Sequence, residues 1–179
     1  MLRRSRHPDP ALPAARRLYD LLVARAREPI FHTAFAVPDT IDGRFDLLTL
    51  HAFLVLDAFK SLGEAGDNLG TELASVIFAG FDEALRELGV GDFGISRRMK
   101  ALAGAFYGRL EAYRVADSAP ALSLVLLRNL YRGEMARAGE AAMLAHYILI
   151  ARKSLMGQAA ALLQGVTDFG ALPKCESMP

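Results

Sequence analysis

Apolar residues return every three or four positions along almost the whole chain, and no stretch settles into the alternation of a half-buried strand. The spacing predicts six helices. The first covers 14–28, carries Leu18, Leu21 and Leu22 with Ala24 and Ala26, and stops before Pro29, which pushes its predecessor out of helical geometry. Residues 29–44 then form the longest irregular stretch. The second helix, 45–62, lines up Phe45, Leu48, Ala52, Val55, Leu56 and Phe59. Leu47, Leu50 and Leu54 fill its other side, so it is expected at the centre, covered on most faces.

The third helix, 69–88, aligns Leu73, Val76, Ile77, Phe81, Leu85 and Leu88 and stops at Gly89. The fourth, 96–116, has a narrow stripe of Met99, Leu102, Phe106, Leu110 and Tyr113. The fifth, 120–131, opens on Pro120, a favoured first-turn residue. The sixth, 140–164, sets Leu144, Ile148, Leu155, Ala159 and Leu162 on one side and ends at Gly165. The expected architecture is all-α, a single-domain bundle of about six helices over 14–165, between a flexible N-terminal segment 1–13 and a flexible C-terminal tail 166–179.

Composition sharpens this picture. A chain of 179 residues suits one domain with a sizeable core, yet 53% of it is hydrophobic and its mean hydropathy is +0.22. That leaves more apolar surface than one core needs. A net charge of +1 and a pI near 7.9 give no reason to expect DNA as a partner, so any basic patch is local. The single cysteine, Cys175, allows no internal disulfide and no cysteine metal cluster, which suits a reducing compartment. The greasiest stretches, 119–127 and 141–151, are too short to span a bilayer. The start, MLRRSRHPDP, has three arginines but no apolar run, so it is not a secretory signal; Asp9 and the early prolines argue against a transit peptide.

Candidate chemistry is sparse. His7, His32, His51 and His146 form no metal-binding helical pair, and His51 and His146 read as core-edge histidines bonded to neighbours. Asp39 and Asp42 lack the further oxygens that a hard cation needs. GVGDFG, 89–94, follows a helix and not a strand, so it is no dinucleotide loop. Gly89, Gly91 and Gly94 suit a tight helix–helix connection, with Asp92 accepting backbone N–H groups where the next helix starts. No catalytic, metal or cofactor site is expected.

The fourth helix is more informative. Residues 94–114 hold five basic side chains against one acid, Glu111. Lys100, Tyr107 and Arg114 recur every seven positions on the side away from the apolar stripe, while Arg98 and Arg109 flank it. This is either a solvated face or a strip for an anionic surface such as RNA, lipid headgroups or an acidic protein. Arg98 or Arg109 can also pair with Asp39 or Asp42 and pin the turn VPDTIDGRF, 37–45, onto this helix. In that turn the two acids are expected to cap and pin, with Arg44 presented outward.

Three blocks in order, VPDTIDGRFDLLTLHAFLVL (37–56), LRELGVGD (85–92) and RRMKALAGAFYGRLEAY (97–113), preceded by ARAREPIFHTAF (24–35), resemble the ubiquinol–cytochrome c chaperone family over about residues 15–115. The resemblance implies a non-enzymatic assembly factor for the cytochrome bc1 complex that holds newly made cytochrome b, with another bc1 component as the alternative client. Mitochondrial members act with a small partner protein and at the ribosome. For this chain it implies the bacterial cytoplasm, at the inner face of the inner membrane with peripheral membrane contact, or alternatively the mitochondrial matrix. The expected partner-binding residues are Arg44, Arg98, Lys100, Tyr107, Arg109 and Arg114. The expected structural motif is Pro38, Asp39, Asp42, Gly43, Gly89, Gly91 and Asp92. One departure is Asp57-Ala58, where the family commonly carries a basic residue. A competing reading is a helical enzyme or small-molecule binder with a site at Asp39, Asp42, His51 and Arg109, and a third is a purely structural helical subunit.

Overall fold

The structure, a computed structural model, describes residues 11–170. It contains α1 (Ala11–Ala26), α2 (Ile30–Thr33), α3 (Ile41–Phe59), α4 (Glu64–Glu87), α5 (Asp92–Val115), α6 (Ala119–Asn129), α7 (Ala138–Met156) and α8 (Ala159–Leu163). Short 3-10 turns, Lys60–Leu62 and Met135–Arg137, lead into α4 and α7. There is no strand among the described residues, and the six long helices match the six that the apolar spacing predicts.

The axis of the molecule is α3. Leu47, Leu50, Ala52, Leu54 and Val55 are fully buried, and each leucine stabilises the fold by about 2 kcal/mol. Around it α1 packs on α4, α6 packs along α7, and α5 closes the remaining side. The core continues through Leu18 and Leu22 of α1, Leu73 and Ile77 of α4, and Leu144 and Ile148 of α7. Close approach of α1 and α4 depends on Gly80, where a Cβ would lie 2.1 Å from the Tyr19 hydroxyl. No helix among the described residues is long and apolar enough to cross a membrane.

Several boundaries depart from the sequence expectation for identifiable reasons. The second helix starts at Ile41 and not at 45, because Thr40, in extended geometry, accepts the Gly43 N–H at 3.1 Å and caps it. Gly89 does end its helix: at φ 74° it lets the Val90 N–H return to the Leu85 carbonyl at 3.1 Å. Asp92 caps nothing. Gly91 holds the cap position of α5 without a side-chain bond, and Asp92 pairs instead with Arg86 at 3.2 Å.

The sixth predicted helix is two helices. The Gln158 side chain brackets the Asp168 backbone, donating to its carbonyl at 2.6 Å and accepting its N–H at 2.8 Å, and this draws the chain back after α8. Phe169 is thereby buried, edge-on to His51 with ring centroids 5.3 Å apart. Within 166–170, the described part of the expected C-terminal tail, Phe169 is buried while Val166 and Asp168 are exposed. At the other end, residues 11–13 belong to α1. The rest of both expected flexible segments, with Cys175, lies outside the described residues.

Candidate functional site

The turn before α3 folds back tightly on itself. A Cβ at Gly43 would sit 2.0 Å from the Pro38 carbonyl oxygen, so only glycine allows this approach. Arg44 donates through Nε to Asp39 Oδ1 at 2.7 Å, and this bond holds the Asp39 carboxyl below its usual range. Asp42 is exposed in the first turn of α3, where a carboxylate suits the helix dipole. Arg44 therefore pairs within its own turn, and the expected link from Asp39 or Asp42 to α5 is not made.

The α5 arginine reaches a different acid. Arg109 Nε lies 2.7 Å from Asp46 Oδ1, and Arg132, in the loop after α6, lies 2.8 Å from Oδ2 and 4.0 Å from Asp42. Asp46 is fully buried, and burial outweighs the pull of both arginines, pushing its carboxyl up to about 6. Neither of its oxygens has a well-directed hydrogen bond, and the buried Tyr113 hydroxyl beside the cluster has no partner. Burial and then the Asp46 charge raise the Tyr113 phenol. Arg109 also lies over the Phe45 ring, 5.2 Å from its centroid.

Arg132 holds Asp46 from strained backbone. Its φ is +55°, and Ala36, which lines the same small cleft, has φ +50°. The Tyr131 hydroxyl donates to the Phe35 carbonyl at 2.7 Å and ties the two loops together.

Above this cluster lies a trough made of two adjoining clefts that share Ile41, Phe45, Leu85, Leu88 and Leu102 as floor. One cleft, about 340 Å³, runs between α1, α3 and α4 and carries Arg27, Arg44 and Glu87. The other, about 650 Å³, runs between α3, α4, α5 and α6 and carries Arg98, Arg109, Arg128, Arg132 and Asp42. Arg98 and Arg128 form no ion pair among the described residues. Ile41 is 66% exposed and Leu88 55%, while Phe93, at the start of α5, is 99% exposed.

The expected partner strip therefore divides. Arg44, Arg98 and Arg109 line the trough. Tyr107 and Arg114 lie on another flank of α5 beside Lys60 and Glu111, where Arg114 is held bidentately by Glu111. Lys100 is exposed and lines neither cleft of the trough. The competing constellation is not assembled. Asp42 and Arg109 share the trough, but Asp39 does not line it, and His51 is sealed within the core.

His51 Nδ1 meets the Leu47 carbonyl at 2.8 Å, so it carries the proton, and Nε2 accepts from the Tyr147 hydroxyl at 2.9 Å. Tyr147 in turn accepts from Arg25 Nε at 3.1 Å. Burial pulls His51 down to about 3, and it stays neutral.

Sequence reading missed Asp46, Arg128 and Arg132, and placed Tyr113 only in the apolar stripe of its helix. The available signal was Asp46 itself, an acid in a helix read as covered on most faces, which must find a buried cation. The departure at Asp57 also has a structural use: it binds Arg152 of α7 and Lys60, both at 2.7 Å.

The chain matches the family described as Ubiquinol-cytochrome C chaperone over residues 33–169, well beyond the blocks that carry the resemblance. It is also similar to a solved structure, the Cbp3 homolog from Brucella abortus, with a TM-score of 0.80 and 36% identity, covering 95% of this chain and 94% of that one. No curated protein matches the chain. The α5–α6 cleft of the trough and the buried ion cluster lie within the matched residues, and the chain belongs to the ubiquinol–cytochrome c chaperone family.

Proposed function

We propose that this member of the bc1 assembly chaperones is non-enzymatic and holds newly made cytochrome b, taking an apolar segment of it into the trough over α3, α4 and α5. The observation that carries the reading is the apolar floor left open between helices, with Ile41 and Leu88 more than half exposed. Such surface is costly in water and gains by covering a client segment, at about 25 cal/mol per Å² removed. The surrounding arginines then select and orient what enters. A binding role is supported by the burial of Asp46, whose carboxyl is pushed up to about 6, beneath Arg109 and Arg132 where a substrate does not reach it. The site of action is the bacterial cytoplasm at the inner face of the inner membrane, where a membrane-protein client is made.

Photo-crosslinkers placed at Ile41 and Leu88, with Ile150 on α7 as the control, test this in the host cell. The expected result is a cytochrome b adduct from positions 41 and 88 and none from 150. Adducts only from 150, or with no bc1 subunit, would overturn it.

A further inference from the structure

The two ends of the trough are not electrically alike. At the α1–α4 end, Arg44 is already engaged by Asp39, and the lining holds Glu87 as well as Arg27. At the α5–α6 end four arginines line the space against one lining acid, Asp42. Asp46 is buried beneath Arg109 and Arg132, so it neutralises from below without blocking the approach. Arg98 and Arg128 have no ion-pair partner among the described residues, and Arg132 is half exposed, shared between two acids on a left-handed backbone. Every basic residue lining the trough is arginine, whose planar fork matches a carboxylate.

We propose that Arg98, Arg128 and Arg132 recognise carboxylates at one end of the client segment, which therefore lies in the trough in a single direction. Its apolar body covers Ile41, Phe45 and Leu88, and its acidic end rests on the arginines. This rests on the reading of the trough as the client site and adds the chemistry of the client. A protein segment fits better than a bilayer surface. Arg98, Arg128 and Arg132 line a cleft of about 650 Å³ between α3, α4, α5 and α6 together with the largely buried Arg109, and such a cleft suits a single side chain better than a planar headgroup layer. Arg109 remains a structural member of the cluster; Arg98 and Arg128 are the contacts free to change partner.

The test uses the full chain and fluorescein-labelled synthetic helices of leucine and alanine that end in three glutamates or in three glutamines, read by fluorescence anisotropy. The glutamate peptide is expected to bind about tenfold more tightly, with the advantage shrinking as salt is added. In the Arg98→Gln/Arg128→Gln double variant, which changes two exposed side chains without an ion pair among the described residues, the advantage disappears while the glutamine peptide binds as before. Equal binding of the two peptides to the wild type overturns the proposal, as does an advantage that survives the double substitution. Arginine-dependent binding to phosphatidylglycerol vesicles without binding of the glutamate peptide also overturns it and assigns the groups to lipid. The assay contains no cytochrome b. A trough that prefers acidic peptides yet never crosslinks to cytochrome b would sink the proposed client and leave this inference standing.

Discussion

Two buried polar clusters sit on α3, at Asp46 and at His51, and they are built on opposite terms. Around His51 the chain carbonyl, imidazole and phenol are neutral, and the one cation, Arg25, is paired with Glu28 at 2.8 Å and joins them in a connected series of bonds. Phe31, Phe169 and Tyr147 close it off with their rings. Around Asp46 the groups are charged, the contacts are close but poorly directed, and the Tyr113 hydroxyl is left without a partner. One cluster finishes the core and locks Phe169 to it. The other borders an open trough and keeps cations poised beside it. Burial alone does not separate structural from functional polar residues; satisfaction and access do.

The largest effect expected from breaking this contrast is at Arg109. Arg109→Ala leaves a buried carboxylate with one half-exposed cation, and equilibrium urea unfolding at pH 7.5 should show a loss of about 3–5 kcal/mol. A loss below about 1 kcal/mol would mean that Asp46 is not held as described. Tyr147→Phe removes the donor to His51 Nε2 and the acceptor of Arg25, for an expected loss of about 1–3 kcal/mol with peptide binding in the trough unchanged.

Dependence on pH sharpens the comparison, since the two clusters titrate with opposite sign. The His51 pKa falls from 6.5 to about 3 on folding, so its contribution is full above about 6.5 and is lost as pH falls toward 3. The Asp46 pKa rises from 3.8 to about 6, so its contribution is full below about 3.8 and is lost as pH rises through 6. Between pH 4 and 6 the two slopes oppose each other, each by up to about 1.4 kcal/mol per pH unit. Relative to wild type, Asp46→Asn should make stability rise more steeply with pH in that window, and His51→Gln should tilt it the other way. Parallel profiles for the two variants would break the contrast.

Much of the fold was legible in the residues. The doubled apolar stripe of α3 announced a helix covered on several sides, and the spacing by seven of Lys100, Tyr107 and Arg114 set them apart from Arg98 and Arg109 on α5. What escaped depends on contacts distant in the chain. Thr40 caps α3 through a backbone shape that only the close approach of Gly43 to Pro38 permits, so residues 41–44 read as turn. The break after α7 follows from the Gln158 bracket on Asp168, which no local pattern displays. Asp46 could be flagged as an acid in need of a cation, but nothing in the sequence chooses Arg109 and a loop residue, Arg132, from the arginines present.

The smallest effect on stability should come with the largest effect on function. Arg98→Glu/Arg128→Glu changes two exposed side chains without ion pairs among the described residues, and unfolding should shift by no more than about 1 kcal/mol. The most direct measurement is to delete the gene in its host, restore it as wild type, Arg98→Glu/Arg128→Glu or Tyr147→Phe at matched protein levels, and record reduced-minus-oxidised haem spectra of the membranes. The account predicts that the b-type signal is lost on deletion, returns with wild type and with Tyr147→Phe, and stays low with the arginine variant. A full b-type signal with the arginine variant would contradict it.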